Sequence, residues 1–96
     1  MRSGLEQSAV VRRGETAVSE RFASETLVLD ATNDRYVRLN EAGARLWELL
    51  EQPAPVRELS AALMRDWGIT EQRAQRDVAA FVSSLAERGL VEVTPP

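Results

Sequence analysis

The side chains that could carry chemistry in this chain of 96 residues are carboxylates, hydroxyls, guanidinium groups and one phenol, because the sequence contains no His and no Cys. The chain thus lacks the usual general base, the thiolate nucleophile and the common zinc and iron–sulfur ligands. Asp and Glu remain for acid–base work, but no pair of acids has a third polar residue at a spacing that indicates catalysis. The residue types therefore favour binding over catalysis, and they predict no cofactor and no metal.

The charge balance disfavours nucleic acid as a partner. The 12 basic residues, all Arg, are outnumbered by 15 Asp and Glu, which gives a net charge of −3. A domain dedicated to DNA or RNA usually has a basic excess on one face. No apolar run is long enough to span a bilayer, and residues 1–6 lack the apolar core of a signal peptide. We therefore expect a cytoplasmic protein with no nucleic acid and no membrane among its partners.

The elements that must position these side chains change type at Asn40. Two runs rich in β-branched and aromatic residues, 26–30 and 35–39, flank a polar segment and predict a β-hairpin. Residues 15–22 alternate more loosely and predict a third antiparallel strand, whereas the apolar run at 9–11 is too short to assign alone. Residues 1–8 are predicted to be flexible, and residues 9–94 to form a single domain.

Three helices and a closing strand are predicted after Asn40. The first helix is capped by Asn40 and ends before Pro53, the second covers about 56–67, and the third is capped by Thr70 and ends at Gly89. A short apolar run follows as a strand. This order predicts an α+β fold, in which a small antiparallel three-stranded β-sheet precedes a three-helix winged helix-turn-helix.

A winged-helix transcription regulator that binds DNA is the alternative function, because winged helices commonly read DNA. On the outward face of the third helix, however, Arg73 and Arg76 are balanced by Glu71 and Asp77. A recognition helix normally gains much of its affinity by neutralising phosphates. The alternative therefore rests on fold analogy alone.

The strand at 35–39 offers another kind of site, because the last strand of a small sheet has one edge without a partner. Its free N–H and C=O groups can pair with an extended peptide, and alternate peptide side chains would enter a groove walled by the third helix. The competing interpretation is an edge that is short, twisted or blocked by Arg35 and Arg38.

Several single residues have two interpretations. Tyr36 either lines a peptide groove or packs between sheet and helix. Asp77 is either a solvated surface charge or a carboxylate that pairs with a cationic group of a partner. Trp47 and Trp67 lie on or beside apolar helical stripes, so we expect both in the core.

Three segments in a fixed order resemble the PqqD family. They are residues 39–50 (LNEAGARLWELL), the step Val56-x-Glu58-Leu59, and the pattern Asp77-Val78-x-x-Phe81-Val82-x-x-Leu85-x-x-x-Gly89-Leu90, with the strand RYVR at 35–38 before them. The likeness covers about residues 15–93. Members of that family are peptide-recognition domains in the biosynthesis of ribosomally made, post-translationally modified peptides, including the pyrroloquinoline quinone (PQQ) precursor, lasso peptides and sactipeptides. The residues from Tyr36 to Asn40 are most similar to those of the stand-alone members that serve lasso-peptide biosynthesis.

The resemblance implies a mode of binding. The leader segment of a precursor peptide would add as an antiparallel strand along residues 35–39 and be clamped by the third helix. The peptide-binding residues that it implies are Val28, Arg35, Tyr36, Val37, Arg38 and Leu39 on the strands, and Arg73, Arg76, Asp77, Ala80 and Phe81 on the helix.

The sequence therefore predicts a non-catalytic protein. It would bind the leader of a ribosomally made precursor, of the lasso peptide or PQQ type, and deliver it to a separate leader peptidase or other modifying enzyme. The DNA-binding regulator is the alternative, and a carboxylate-based enzyme ranks last.

Overall fold

Six strands and three helices are built from residues 5–96, the part of the chain that the computed structural model describes. The strands are β1 (Val10–Arg13), β2 (Val18–Phe22), β3 (Glu25–Asp30), β4 (Arg35–Leu39), β5 (Ala54–Pro55) and β6 (Val91–Thr94). The helices are α1 (Glu41–Leu49), α2 (Val56–Trp67) and α3 (Glu71–Glu87).

Strands β2, β3 and β4 form an antiparallel sheet in that order, as the sequence predicts. The hairpin of β3 and β4 is confirmed, with Val28 opposite Val37 at its centre. The third strand is shorter than predicted, because β2 begins only at Val18.

A buried carboxylate shapes the turn between β3 and β4. Asp30, 1% exposed, accepts hydrogen bonds from the side-chain amide of Asn33 at 2.8 Å and from its backbone N–H at 3.2 Å. The side-chain bond is the main reason that the pKa of Asp30 lies below its usual value, with help from Arg88 and Arg35 and against the effect of burial. This turn sets the point at which β4 begins.

The two faces of this sheet differ in burial. Towards the helices, Val28 is entirely buried and Val37 is half-buried. On the opposite face Val18, Leu29 and Tyr36 lie opposite one another across the three strands, and we call them the outer row. Val18 and Tyr36 are each 55% exposed, so Tyr36 does not pack between sheet and helix.

The helices begin and end where the sequence predicts. The Asn40 side chain accepts a hydrogen bond from the backbone N–H of Gly43 at 2.7 Å, and the Thr70 hydroxyl accepts one from that of Arg73 at 3.2 Å. Gly68 follows α2 with a left-handed φ of 64°, a conformation that favours glycine. These caps fix the start of α1 directly after β4 and the start of α3 directly after α2.

The core lies between the helices and the inner faces of the sheets. Its fully buried side chains include Leu46, Leu59, Leu63, Val78 and Leu85. The core position expected for Trp47 is confirmed, since it is 3% exposed. The same expectation for Trp67 is wrong, because Trp67 is the last residue of α2 and remains 42% exposed where the apolar stripe leaves the core.

A second antiparallel sheet, in the order β5–β1–β6, joins the two ends of the chain. Val10 lies opposite Thr94, and Arg12 bonds to Glu92 across 80 positions of sequence. The sequence does not predict β1, because a four-residue strand has no local partner to indicate it. The predicted closing strand is present and pairs with β1. The α+β class, with its three-stranded antiparallel sheet and three helices, is confirmed.

The predicted flexible segment 1–8 falls partly outside the described residues, which exclude 1–4. Leu5 packs against the core, and the carbonyl of Gln7 accepts a hydrogen bond from the N–H of Arg57 at 3.0 Å. The extent of the domain, 9–94, stays a prediction.

Candidate functional site

A groove of about 430 Å³ runs between β4 and α3. The wall formed by β4 is a free edge of its sheet. β4 pairs with β3 from Arg35 opposite Asp30 to Leu39 opposite Thr26, and no strand within residues 5–96 pairs with its other side. Because N–H and C=O groups alternate in direction along an antiparallel strand, about half of those in β4 point away from β3. The groove therefore has one wall of unpaired backbone groups.

The opposite wall is one face of α3. Arg73, Asp77, Ala80, Phe81 and Ser84 recur every three or four residues, which places them along one side of the helix. Phe81 is half-buried against the core, and Ala80 is exposed. Nε of Arg73 lies 4.0 Å from Oδ2 of Asp77, so the two charges offset each other. This wall is apolar in the middle and has a balanced charge pair at its N-terminal end.

The floor of the groove depends on Gly43, which lies in α1 next to buried Leu46. A Cβ at Gly43 would lie 3.5 Å from Cβ of Leu39, 3.5 Å from Cδ1 of Phe81 and 3.1 Å from Oδ1 of Asn40. The gap between β4 and α3 is therefore narrow at this point. It stays open because residue 43 has no side chain.

The groove continues past the start of α1 into a second pocket of about 350 Å³. The pocket shares Arg73 and Asp77 with the groove and adds Leu63, Trp67 and Ile69. The exposed ring of Trp67 thus belongs to an apolar wall beside the groove. Sequence reasoning missed this role because helical spacing alone places Trp67 on the core stripe.

Seven of the eleven predicted site residues line the groove, namely Val37, Arg38, Leu39, Arg73, Asp77, Ala80 and Phe81. Val28 does not, because its side chain is entirely buried behind β4 and has no surface to offer a peptide. The remaining three, Arg35, Tyr36 and Arg76, are exposed and lie outside the lining.

Six further residues line the groove that the sequence does not single out for the site, namely Asn40, Ala42, Gly43, Leu46, Ser84 and Leu85. Asn40 is expected from the sequence only as a helix cap. Gly43 carried a usable signal, because Gly inside a helix costs about 1 kcal/mol relative to Ala and often marks a close approach of two elements.

A larger cleft, of about 530 Å³, lies on the same face of the sheet near its opposite edge, between β2 and α1. Three of its charged side chains, those of Arg21, Arg45 and Glu48, form ion pairs within the chain. Arg45 donates to Asp66 at 2.7 Å and to Glu48 at 2.9 Å, and the bond to Asp66 is the main reason that the pKa of Arg45 is raised. The side chain of Arg21 lies 3.8 Å from Glu48. Since the α1 wall of this cleft carries charged side chains, whereas the α3 wall beside β4 is apolar in the middle, the groove along β4 is the better candidate for a peptide ligand.

The described residues contain neither an acidic cluster for a metal ion nor a helix that could span a membrane. From Leu5 onward, no group of three or more Asp and Glu side chains is arranged to hold a metal ion. Over the same residues, no helix combines the length and the hydropathy needed to cross a membrane.

Two solved structures share this architecture. The structure described as "TbiB1 in Complex with the TbiA(beta) Leader Peptide" matches with a TM-score of 0.76 and 26% sequence identity, over 84% of this chain and 94% of that one. The structure described as "Lasso peptide synthetase B1 complexed with the leader peptide" matches with a TM-score of 0.69 and 22% identity, over 85% of this chain and 96% of that one. At that identity the second match supports the fold alone.

No curated protein sequence matches the chain significantly. The family model for coenzyme PQQ synthesis protein D (PqqD), in contrast, matches residues 25–91. This range runs from the first residue of β3 to the first residue of β6, and so includes both walls and the floor of the groove. The match confirms the family expected from the sequence motifs: the chain belongs to the PqqD family.

Proposed function

We propose that this protein binds the leader segment of a ribosomally made precursor peptide in the groove between β4 and α3, and presents the precursor to a separate enzyme. The observation that carries the proposal is the free edge of β4 facing an apolar helix wall. Membership of the PqqD family and the likeness to TbiB1, a structure described with a leader peptide, support the same conclusion.

Backbone pairing along β4 provides the first part of the interaction. The five residues of β4 span about 17 Å at 3.4 Å per residue, enough to pair with a peptide segment of similar length. Every pair in this sheet is antiparallel, and antiparallel pairing is slightly more stable than parallel pairing. The leader therefore runs opposite to β4, from the Leu39 end towards the Arg35 end.

Side-chain contacts provide specificity. Alternate residues of an added strand point to the same face, so one set of leader side chains enters the groove. That set meets Val37, Leu39 and Phe81, with Gly43 below, and we expect it to be apolar. Asp77 also lines the groove, and polar groups of the peptide would contact its carboxylate.

The protein contributes recognition, and a partner enzyme contributes the chemistry. The ionisable residues that line the groove are Arg73 and Asp77 on α3 and Arg38 on β4, and the Arg38 side chain lies on the outer face of the sheet. Arg73 lies beside Asp77, and Arg38 lies 3.5 Å from Glu25. These pairs suit them to positioning and charge balance rather than to proton transfer. The same pairing disfavours the DNA-binding alternative, because the cation on this face of α3 already has a counter-charge.

Fluorescence anisotropy with a labelled leader peptide, taken from the precursor encoded in the same gene cluster, tests the proposal. Ala80→Glu places a carboxylate on the exposed middle of the α3 wall, and we expect it to weaken binding by about tenfold or more. Ala61→Glu adds the same charge to an exposed position of α2, and it should bind as the wild type does. Equal affinity for both variants and the wild type would contradict a binding site in this groove.

Modified leader peptides test the backbone contribution separately. In an antiparallel added strand, only alternate N–H groups point at β4. N-methylation of one alternate set should therefore abolish binding, while N-methylation of the other set is tolerated. If the protein binds both methylated peptides as well as the unmodified one, the leader does not add to the sheet.

A further inference from the structure

The cleft between β2 and α1 has polar side chains on its sheet wall, although it lies on the face of the sheet that packs against the helices. Alternate residues of a strand point to opposite faces, so Ser19 and Arg21 face the helices whereas Val18 of the outer row does not. Thr26 lies opposite Arg21 on β3, and all three inward residues line the cleft. The inner face of an antiparallel sheet normally carries apolar side chains. This wall is therefore suited to a polar ligand.

Arg13 lies in this cleft without an ion-pair partner in the described structure. Its guanidinium packs on the ring of Trp47, which also lines the cleft, and Nη2 donates a hydrogen bond to the Trp47 backbone carbonyl. Nε is buried and has no hydrogen-bond partner. Burial lowers the pKa of Arg13, and the carboxylate of Glu51 opposes this effect only from beyond ion-pair distance. A partly desolvated guanidinium with unused donors favours the binding of an anion.

The carboxylate that would complement Arg13 is not supplied by the described chain. Glu48, an acid of the cleft wall, is engaged by Arg45 at 2.9 Å and lies 3.8 Å from Arg21. Residues 1–4 contain no Asp or Glu. A carboxylate that pairs with Arg13 therefore has to come from a bound partner.

The cleft meets the groove along β4 at the start of α1. Leu39 and Asn40 line both, and the pocket beside Trp67 shares Asn40 and Trp67 with the cleft. A leader that runs antiparallel to β4 pairs first at Leu39, so the leader residues before the paired strand lie at this junction. A helix is about 10 Å across, and an extended chain covers that distance in about three residues. A leader residue about three or more positions before the paired strand therefore reaches the cleft.

We propose that the cleft between β2 and α1 is a second binding site for the leader, in which an Asp or Glu side chain that precedes the paired strand forms an ion pair with Arg13. The inference rests on the proposed function, since it requires a leader that runs antiparallel along β4. The hydroxyls of Ser19 and Thr26 provide hydrogen bonds to the peptide backbone beside the acid. The groove then selects the apolar residues of the leader, and the cleft selects an acid at a fixed distance before them.

Fluorescence anisotropy with three labelled forms of the leader tests the second site on the wild-type protein. The first form is the full leader from the precursor in the same gene cluster. The second begins at the paired strand, which the N-methylated peptides identify, and the third carries Gln or Asn in place of each Glu or Asp before that strand. We expect both changes to raise the Kd about tenfold, because each removes the ion pair with Arg13. Equal affinity for all three forms, or a leader with no Asp or Glu before the paired strand, would overturn the second site.

Arg13→Gln tests the cation of the cleft. We expect it to raise the Kd for the full leader about tenfold and to leave the Kd for the shortened leader within about twofold of wild type, since the two changes remove the same contact. Arg12→Gln is the matched control, because Arg12 is exposed on the opposite face of β1 and should change neither Kd. Ala80→Glu, in the groove wall, should weaken the binding of both leader forms. Circular dichroism shows whether Arg13→Gln folds, and if it does not, the three leader forms decide with the wild type alone.

The outcomes distinguish the second site from the proposed function. If Arg13→Gln weakens the full and the shortened leader equally, Arg13 acts through the fold, and its ion pair with the leader is overturned. Wild-type affinity of Arg13→Gln for the full leader overturns the ion pair as well. Binding in the groove along β4 stands in both cases. If the wild type binds none of the three leader forms, the proposed function itself is overturned.

Discussion

The guanidinium carbon of Arg13 lies 4.4 Å from the centroid of the Trp47 ring, and the same guanidinium donates a hydrogen bond to the Trp47 backbone carbonyl. The contact joins β1 to α1, two elements 34 positions apart in sequence. Burial lowers the pKa of Arg13, an effect that the carboxylate of Glu51 opposes. Arg13 of β1 thus fixes the position of α1, the helix that forms the floor of the groove.

Arg13→Ala removes both the stacking and the hydrogen bond, and we expect it to lower the free energy of unfolding by about 2 kcal/mol. Urea denaturation followed by Trp fluorescence measures the change. Arg12→Ala is the matched control, because Arg12 forms only an exposed pair with Glu92 at 3.3 Å and should lose less than about 0.5 kcal/mol. Similar losses of unfolding free energy in the two variants would show that the contact with Trp47 stabilises the fold no more than an exposed ion pair does.

Gly14→Ala should destabilise the sheet of β1 and β6. A Cβ at Gly14 would lie closer to the backbone oxygen of Gly89 than van der Waals contact allows. Because Gly14 follows β1 and Gly89 lies just before β6, relieving the overlap requires one of these strands to move. We expect a loss of about 1–3 kcal/mol, as for other overpacked sites. Gly89→Ala is the comparison: its Cβ would meet open space, and only the left-handed φ of 72° opposes it, at about 1 kcal/mol. If the hydrogen exchange of the β1 and β6 amides is unaffected by Gly14→Ala, the close approach does not limit this position.

Asp30→Asn should destabilise the protein in a pH-dependent manner. The pKa of Asp30 is lower in the folded protein than in the unfolded chain, because the ionised carboxylate accepts two hydrogen bonds from Asn33. The resulting stabilisation is fully present above the unfolded pKa of about 4 and is lost as the pH falls through the folded pKa. Denaturant unfolding should show the wild type more stable than the variant at neutral pH, with the difference shrinking as the pH falls below about 4. A gap that stays constant over that range would mean that the charge of Asp30 is not the stabilising feature.

Local signals in the sequence account for most of the fold. The hairpin of β3 and β4 is predicted from two β-branched runs around a polar turn, and the starts of α1 and α3 are predicted from the caps Asn40 and Thr70. In each case the residues that give the signal lie within a few positions of the element that they predict. β1 could not be predicted in this way, because its main partner β6 lies at the other end of the chain.

The walls of the groove follow from the sequence more readily than its details. The predicted strand and helix both line it, and Leu39 and Phe81 lie on opposite walls of the gap. Val28 shows the limit of this reasoning, because strand membership alone does not reveal that a side chain is wholly buried. Trp67 shows the opposite case, a residue that is expected to be buried and is exposed. It fits the helical spacing of the core residues of α2, but it lies beyond the edge of the core.

The pairing of β1 with β6 has a mechanical consequence. Because Val10 at the start of β1 lies opposite Thr94 at the end of β6, the outer ends of these two strands lie side by side. A force that pulls the two ends apart would load the hydrogen bonds of this ladder one after another, as in opening a zipper, and would peel the two strands apart at low force. A tether at a single end puts no such load on the ladder, so the domain can be carried by either end while β4 and α3 stay in place.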